Sequence, residues 1–255
     1  IEEECHRLGY EMVISHVDQR NPNYQKQVRD LLEEQGVGII LLGTEMMDGD
    51  LSLYRNASCP VLLLDHWTEL MDFNSVLINN ADAARAITEH LLDNGHREVG
   101  YLRGNYRIKA FRSRFIGFQT ALKKYKVPYK EEYTVTVGTY MSTACQDMLE
   151  YLKKKPKLPT AFFADNDIIA LGAMKALQEM GYRIPEDISI VGFDDLTFSE
   201  ISSPPLTTLR VEKREMGKMA VRRLVELIDG IGTSTVTKIQ VCPKIIYRNT
   251  VKNIK

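Results

Sequence analysis

Residues 160–191 read Thr160-Ala-Phe-Phe-Ala-Asp-Asn-Asp-Ile-Ile-Ala-Leu-Gly-Ala-Met-Lys-Ala-Leu-Gln-Glu-Met-Gly181, then Tyr-Arg-Ile-Pro-Glu-Asp-Ile-Ser-Ile-Val191. The apolar run 160–164 is a strand. It runs into a helix over 167–180 that Gly181 closes, and 188–191 is a second strand. Strand, helix, strand in so few residues is a βαβ unit, and such a unit makes its two strands parallel. The same alternation extends outward. Upstream lie strands at 99–102 and 133–137 and helices at 82–94, 111–124 and 142–153, the first with Ala86, Ile87, Leu91 and Leu92 on one side. Further upstream come a helix tail at 2–8, a strand at 10–15 and a helix opened by Asn21-Pro22 with an apolar stripe of Val28, Leu31 and Leu32. Strand 37–42, a helix around 46–56, and strands 61–64 and 75–78 follow. Downstream come strand 206–209, helix 214–229 and strands 238–241 and 244–248. The pattern predicts an α/β protein with mostly parallel strands. There are too many strands for one compact unit, so two doubly wound sheets fit the length better.

Composition narrows the function. At roughly 100–200 residues per domain, 255 residues make one large domain or two small ones. Lys and Arg number 33 against 34 Asp and Glu, a net charge of −1, which excludes a free-standing basic nucleic-acid binder. With 44% hydrophobic residues, disorder is excluded too. No apolar run is long enough to span a membrane. Cys5, Cys59, Cys145 and Cys242 form no C-x-x-C pair and read as reduced core residues of a cytoplasmic protein. The opening Ile1-Glu-Glu-Glu4, without Met, leads us to expect a true start upstream. No P-loop, G-x-G-x-x-G or G-x-S-x-G motif occurs, so no cofactor is expected. His6, His16, His66, His90 and His96 lack metal-ligand spacing and read as surface or satisfied residues. Asp194-Asp195 could pair for acid–base work, but neighbouring residues at a strand end point apart. An enzyme is not expected.

Four segments point further: Asn94-Gly-His-Arg-Glu-Val-Gly-Tyr101, Arg112-Ser-Arg-Phe-Ile-Gly-Phe118, Phe163-Ala-Asp-Asn-Asp-Ile-Ile-Ala-Leu-Gly-Ala-Met174, and Ile184-Pro-Glu-Asp-Ile-Ser-Ile-Val-Gly-Phe-Asp-Asp195 followed by Ser203-Pro-Pro-Leu-Thr-Thr208. In this order and spacing they resemble the effector-binding core of the lactose-repressor/galactose-repressor (LacI/GalR) family of bacterial transcription regulators, over about residues 10–250. The resemblance implies a core like a periplasmic sugar-binding protein. One lobe holds 1–78 plus 212–240, the other 79–211 plus 241–255, and three crossovers join them. It implies a sugar or sugar derivative bound between the lobes, a homodimer, and allosteric control of operator DNA. The helix-turn-helix domain that binds DNA, and the first core strand, would lie outside this chain. A periplasmic sugar-binding protein of a transport system is the alternative.

The resemblance also assigns ligand-binding residues, and each has a competing structural reading. Asp194 stands just past a strand's carboxyl end, where open α/β sheets bind ligands. Helix capping is its rival role, and Asp195 suits that role better. Arg114 offers a planar fork to neighbouring oxygens, or else lies on a solvated helix face. Asn166 can bond hydroxyls or cap the helix after it. Asp65 ends strand 61–64 and would face the ligand from the other lobe. Tyr140 would stack on a sugar ring, or pack in the core. Two positions depart from the family pattern: Arg210-Val-Glu-Lys213 replaces a frequent Gln, and Ala110 a small polar residue. Residues 97–126 hold nine Lys and Arg against one acid, Glu98, which leaves room for an anionic effector such as a sugar phosphate. Arg214, Lys218 and Arg222, spaced by four, read as a solvated helix face or a partner-binding one.

Overall fold

The computed structural model describes residues 1–33, 36–44, 46 and 48–255. Two compact units emerge. The first comprises Ile1–Ile78 and Glu212–Val241, the second Asn79–Val211 and Cys242–Lys255, so the chain passes from one to the other three times.

In the first unit, β1 (Ile39–Leu42), β2 (Val61–Leu64), β3 (Asn74–Ile78) and β9 (Lys238–Val241) form a parallel sheet in that order. Helix α8 (Lys213–Ile228) covers it, and a Cβ on Gly38 would already press Leu224 and Ile228 at 3.1 Å. Helix α2 (Tyr24–Glu33) joins the same core through Tyr24 and Val28, with Leu51, Tyr54, Leu63 and Phe73. Helix α1 (Glu2–Arg7) rests on α8, where Arg222 Nε donates to Glu4 Oε1 at 2.6 Å. Lys218 pairs with Glu215 at 2.9 Å, so two of the three basic residues on that helix face have partners in their own unit.

Three expectations need correction here. Residues 10–15 are not a strand: Val13 and Ile14 are 82% and 80% exposed. A strand exists through its ladder, and among the described residues this segment has none. The helix expected around 46–56 is only a 3-10 turn over Asp50–Tyr54, with Met47 outside the described residues. Ser52 explains the tight winding, because its N–H and hydroxyl both bond the Gly49 carbonyl, at 3.3 and 2.7 Å. Of the cysteines only Cys145 is buried; Cys242 is exposed on the return into the second unit.

The second unit holds a parallel sheet in the order β5 (Thr134–Val137), β4 (Val99–Gly104), β6 (Ala161–Ala164), β7 (Ser189–Val191). An antiparallel pair, β8 (Thr208–Arg210) with β10 (Lys244–Ile246), continues it through bridges from Val191 to Thr207 and from Asp194 to Arg210. Helices α3 (Asn80–Asp93) and α4 (Lys109–Lys124) pack together, as do α5 (Met141–Lys153) and α6 (Asp167–Glu179). The crossing of α3 and α4 requires Gly117, since a Cβ there would lie 2.1 Å from the Ala81 carbonyl. Tyr101, Phe115, Phe118 and Phe163 fill the space beneath these two helices. His96 is a buried structural residue, bonded to Thr160 Oγ1 at 2.9 Å and the Lys252 carbonyl at 3.1 Å. From β4 the chain goes to β5 on one side, then returns across to β6 on the other. The carboxyl ends of β4 and β6 are therefore the switch point, where the diverging connections leave a crevice.

Candidate functional site

Arg114 stands at this switch point, beside Asp165 just past β6. It projects from α4, the helix after β4, and is buried, which rules out the solvated face. Its Nε donates to Asn80 Oδ1 at 2.8 Å, and Nη1 donates to the Asp165 carbonyl at 2.5 Å. The guanidinium lies over the Phe193 ring, 3.6 Å from the centroid, with Phe111 at 5.8 Å. Stacking and two fixed acceptors leave it one orientation, with Nη2 3.4 Å from Asp194 Oδ1.

Asp194 follows Phe193 just beyond β7. Its φ of 109° lies in the region that favours glycine, and Asp195 follows at 48°. Two such residues in succession store on the order of 1–3 kcal/mol each, so their surroundings must hold them there. The Asp194 N–H donates to the Leu209 carbonyl at 2.8 Å. Its side chain remains 24% exposed, so a ligand can reach it. The pair with Arg114 is long for a charge-assisted bond. Acceptor and donor thus stand side by side, with the donor over an aromatic face.

Asn166 serves as the cap: its Oδ1 accepts from the Ile169 N–H at 3.0 Å. The amide nitrogen is the part it can offer a ligand. Sequence reasoning missed its two neighbours. Asp165 is fully buried, accepts the Gly104 N–H at 2.8 Å and the Tyr101 hydroxyl, and through its carbonyl fixes Arg114. Burial pushes its carboxyl up to about 7. Asp167, also buried, accepts the Leu196 N–H at 2.9 Å, the Ser199 hydroxyl at 2.6 Å and the Thr208 hydroxyl; burial raises it to about 6. It thereby starts the short helix α7 (Thr197–Ile201). A Cβ on Gly192 would sit 2.3 Å from Asp167 Oδ1, so only glycine fits there. The available signal was Asp-Asn-Asp directly after an apolar strand. At a strand–helix junction, polar residues read as loop until the partners are seen.

Asp195 is not a helix cap. Its buried carboxylate takes Arg210 Nε at 2.6 Å and Arg248 Nη2 at 2.7 Å. Burial pushes this carboxyl up, but the two arginines outweigh it and hold it below its ordinary value. Tyr140 is 75% exposed at the start of α5, which rules out core packing. It follows β5, so it stands at the same carboxyl edge as the crevice, without a bond to Arg114 or Asp194. Asp65 belongs to the first unit, where it ends β2 with φ 55° and donates its N–H to the Val76 carbonyl at 2.9 Å. The structure therefore brings together Arg114 and Asp194, places Asn166 at the start of α6, and leaves Tyr140 exposed at the start of α5.

Much of the basic run is engaged structurally. Arg97 caps the Leu92 carbonyl at 2.7 Å, Lys124 pairs with Glu89 at 3.0 Å, and Arg103 lies 4.6 Å from the Phe115 centroid. Among the described residues, no group of His, Cys, Asp and Glu could hold a metal ion, and no helix is long and apolar enough to cross a membrane.

Residues 88–251 match the model of the periplasmic binding protein-like domain family. The chain is 32% identical over 256 residues to the HTH-type transcriptional repressor PurR of Mannheimia succiniciproducens, covering 100% of this chain and 76% of that protein. PurR of Haemophilus influenzae is 31% identical over 257 residues, with the same shares. Among solved structures, the lac repressor dimer bound to operator and the anti-inducer ONPF has a TM-score of 0.88 at 28% identity, over 99% of this chain and 87% of that one. Two others share the fold. A CelR–cellobiose complex has a TM-score of 0.87 at 24% identity, covering 98% and 76% of the two chains. A LacI family regulator from Enterococcus faecium with bound ribose has 0.83 at 21%, covering 100% and 92%.

Proposed function

We propose, from the premise that this chain belongs to the LacI/GalR family of bacterial transcription regulators, that its second unit recognises a polyhydroxylated small molecule through Arg114, Asn166 and Asp194. The chain is the effector-binding core of such a regulator. One observation carries the choice of ligand chemistry. The Arg114 guanidinium, stacked on Phe193 and locked by two acceptors, presents Nη2 beside the Asp194 carboxylate at a sheet switch point. A donor nitrogen and a carboxylate acceptor at fixed spacing match neighbouring hydroxyls, which both donate and accept. Tyr140 supplies an exposed ring for the apolar side of a sugar.

In this reading nothing is turned over; the ligand changes the protein's affinity for operator DNA. Such coupling is typically about 1–3 kcal/mol and acts in both directions. DNA is bound through a helix-turn-helix segment of the kind the relatives' names describe, by a homodimer working in the cytoplasm. The transport-protein alternative is not favoured, because the matched relatives are named as repressors. Titration calorimetry with ribose, cellobiose and their phosphates tests the reading, with Asp194→Ala as control. Saturable binding of a neutral sugar, lost in Asp194→Ala, is the expected result. Binding that survives unchanged in Asp194→Ala would remove this site from consideration.

A further inference from the structure

Asp194 and Asp195 hold two consecutive positive φ angles, of 109° and 48°, with no glycine between them. Their surroundings must maintain that turn, and the structure shows what does so. Asp195 is buried and gripped from two sides, by Arg210 Nε at 2.6 Å and Arg248 Nη2 at 2.7 Å. Arg248 is itself anchored: its Nη1 donates to the Leu206 carbonyl at 2.8 Å and its backbone N–H to Thr207 Oγ1 at 2.9 Å. Arg210 is paired along its backbone on both sides, with Lys244 of β10 and with Asp194. The carboxylate of Asp195 is therefore the node that joins three segments: the turn after β7, the strand β8, and the chain just past β10.

Two of these segments lead out of the unit. Arg210 stands next to Val211, after which the chain enters the first unit at Glu212. The chain comes back at Cys242 and reaches Arg248 by way of β10. We propose that Asp195 is the positioning residue of the site: clamped by Arg210 and Arg248, it holds the turn that presents Asp194 and ties that turn to the two strands by which the chain leaves and re-enters the unit. The proposal rests on the reading of Asp194 as a ligand-binding residue. A ligand that draws on Asp194 draws on β8 through the Asp194–Leu209 hydrogen bond and the Asp195–Arg210 ion pair.

Amide exchange followed by NMR on the ligand-free chain tests the clamp, using Arg210→Gln, Arg248→Gln and Arg210→Lys. We expect the Asp194 amide to exchange about tenfold faster or more in both Gln variants, with the β6 amides unchanged. Arg210→Lys should restore protection, because an ammonium can stand in for the Arg210 Nε donor beside Asp195. An Asp194 amide as protected in both Gln variants as in the parent overturns the proposal. So does acceleration of the β6 amides by the same factor, which would mean general loss of stability. A second arm titrates ribose and cellobiose into the parent, Asp194→Ala and Arg210→Gln. Weakening by about tenfold in Arg210→Gln, with Asp194→Ala inactive, supports the link to binding. Parent-like affinity in Arg210→Gln overturns it. If neither sugar binds the parent, the effector reading fails for those sugars, while the exchange experiment still decides the clamp.

Discussion

The guanidinium carbon of Arg114 lies over the ring of Phe193, 3.6 Å from its centroid, and Nη2 stands 3.4 Å from Asp194, the next residue along the chain after Phe193. One aromatic side chain thus supports the donor while its chain neighbour supplies the acceptor. The spacing between the two charges is set by covalent connectivity as much as by packing.

That arrangement makes Arg114 hard to replace. Arg114→Lys keeps the charge but cannot bond Asn80, Asp165 and Asp194 at once. Arg114→Met leaves buried acceptors unsatisfied, at about 1–3 kcal/mol for each. We expect Arg114→Met to lower the urea midpoint and Arg114→Lys to weaken sugar binding at least tenfold. Parent-like values from denaturation and calorimetry for both variants would contradict the assignment.

Asp165 should leave a signature in the dependence of stability on pH. Its folded-state pKa, about 7, lies above the ordinary 3.8, so the native state binds its proton more tightly than the unfolded chain. Its contribution is complete below about pH 4 and is lost as pH rises through 7. Asp165→Asn keeps an acceptor for Gly104 but cannot titrate. The unfolding free energy of the parent should therefore fall more steeply than that of Asp165→Asn between about pH 4 and 7. Equal slopes in urea titrations across that range would refute this.

Gly117→Ala tests the helix crossing under the site. The new methyl would fall 2.1 Å from the Ala81 carbonyl, and that atom belongs to a helix backbone that cannot rotate away. Overpacking of this kind typically costs about 1–3 kcal/mol. A midpoint unchanged within error would show that α3 and α4 separate freely.

Tyr140→Ala separates stacking from packing. An exposed side chain away from the core changes stability by no more than about 0.5 kcal/mol. We expect an unchanged melting temperature and weaker sugar binding, about tenfold for a lost aromatic platform. A drop in melting temperature with full affinity would reverse the assignment.

Much of this could be read without coordinates. Apolar runs alternating with helical periodicity located most strands and helices, and Gly95 and Gly181 marked helix ends where the structure has φ of 96° and 86°. Residues 10–15 have the composition of a strand, yet a strand needs a neighbour, and composition does not supply one. Asn166 looked equally suited to capping and to ligand binding. Only the Ile169 N–H showed which atom of the amide is engaged.

By itself, the sequence determined the alternation of elements, the parallel sheets that alternation requires, and the strand ends at which functional side chains would stand. These follow from local periodicity and chain connectivity. The tertiary structure decided that Arg114 is buried on Phe193, that Asp165 and Asp167 lie inside, and that Asp195 answers to Arg210 and Arg248 rather than to a helix. Those outcomes depend on which distant groups meet a side chain once water is excluded, and sequence spacing carries no record of such meetings.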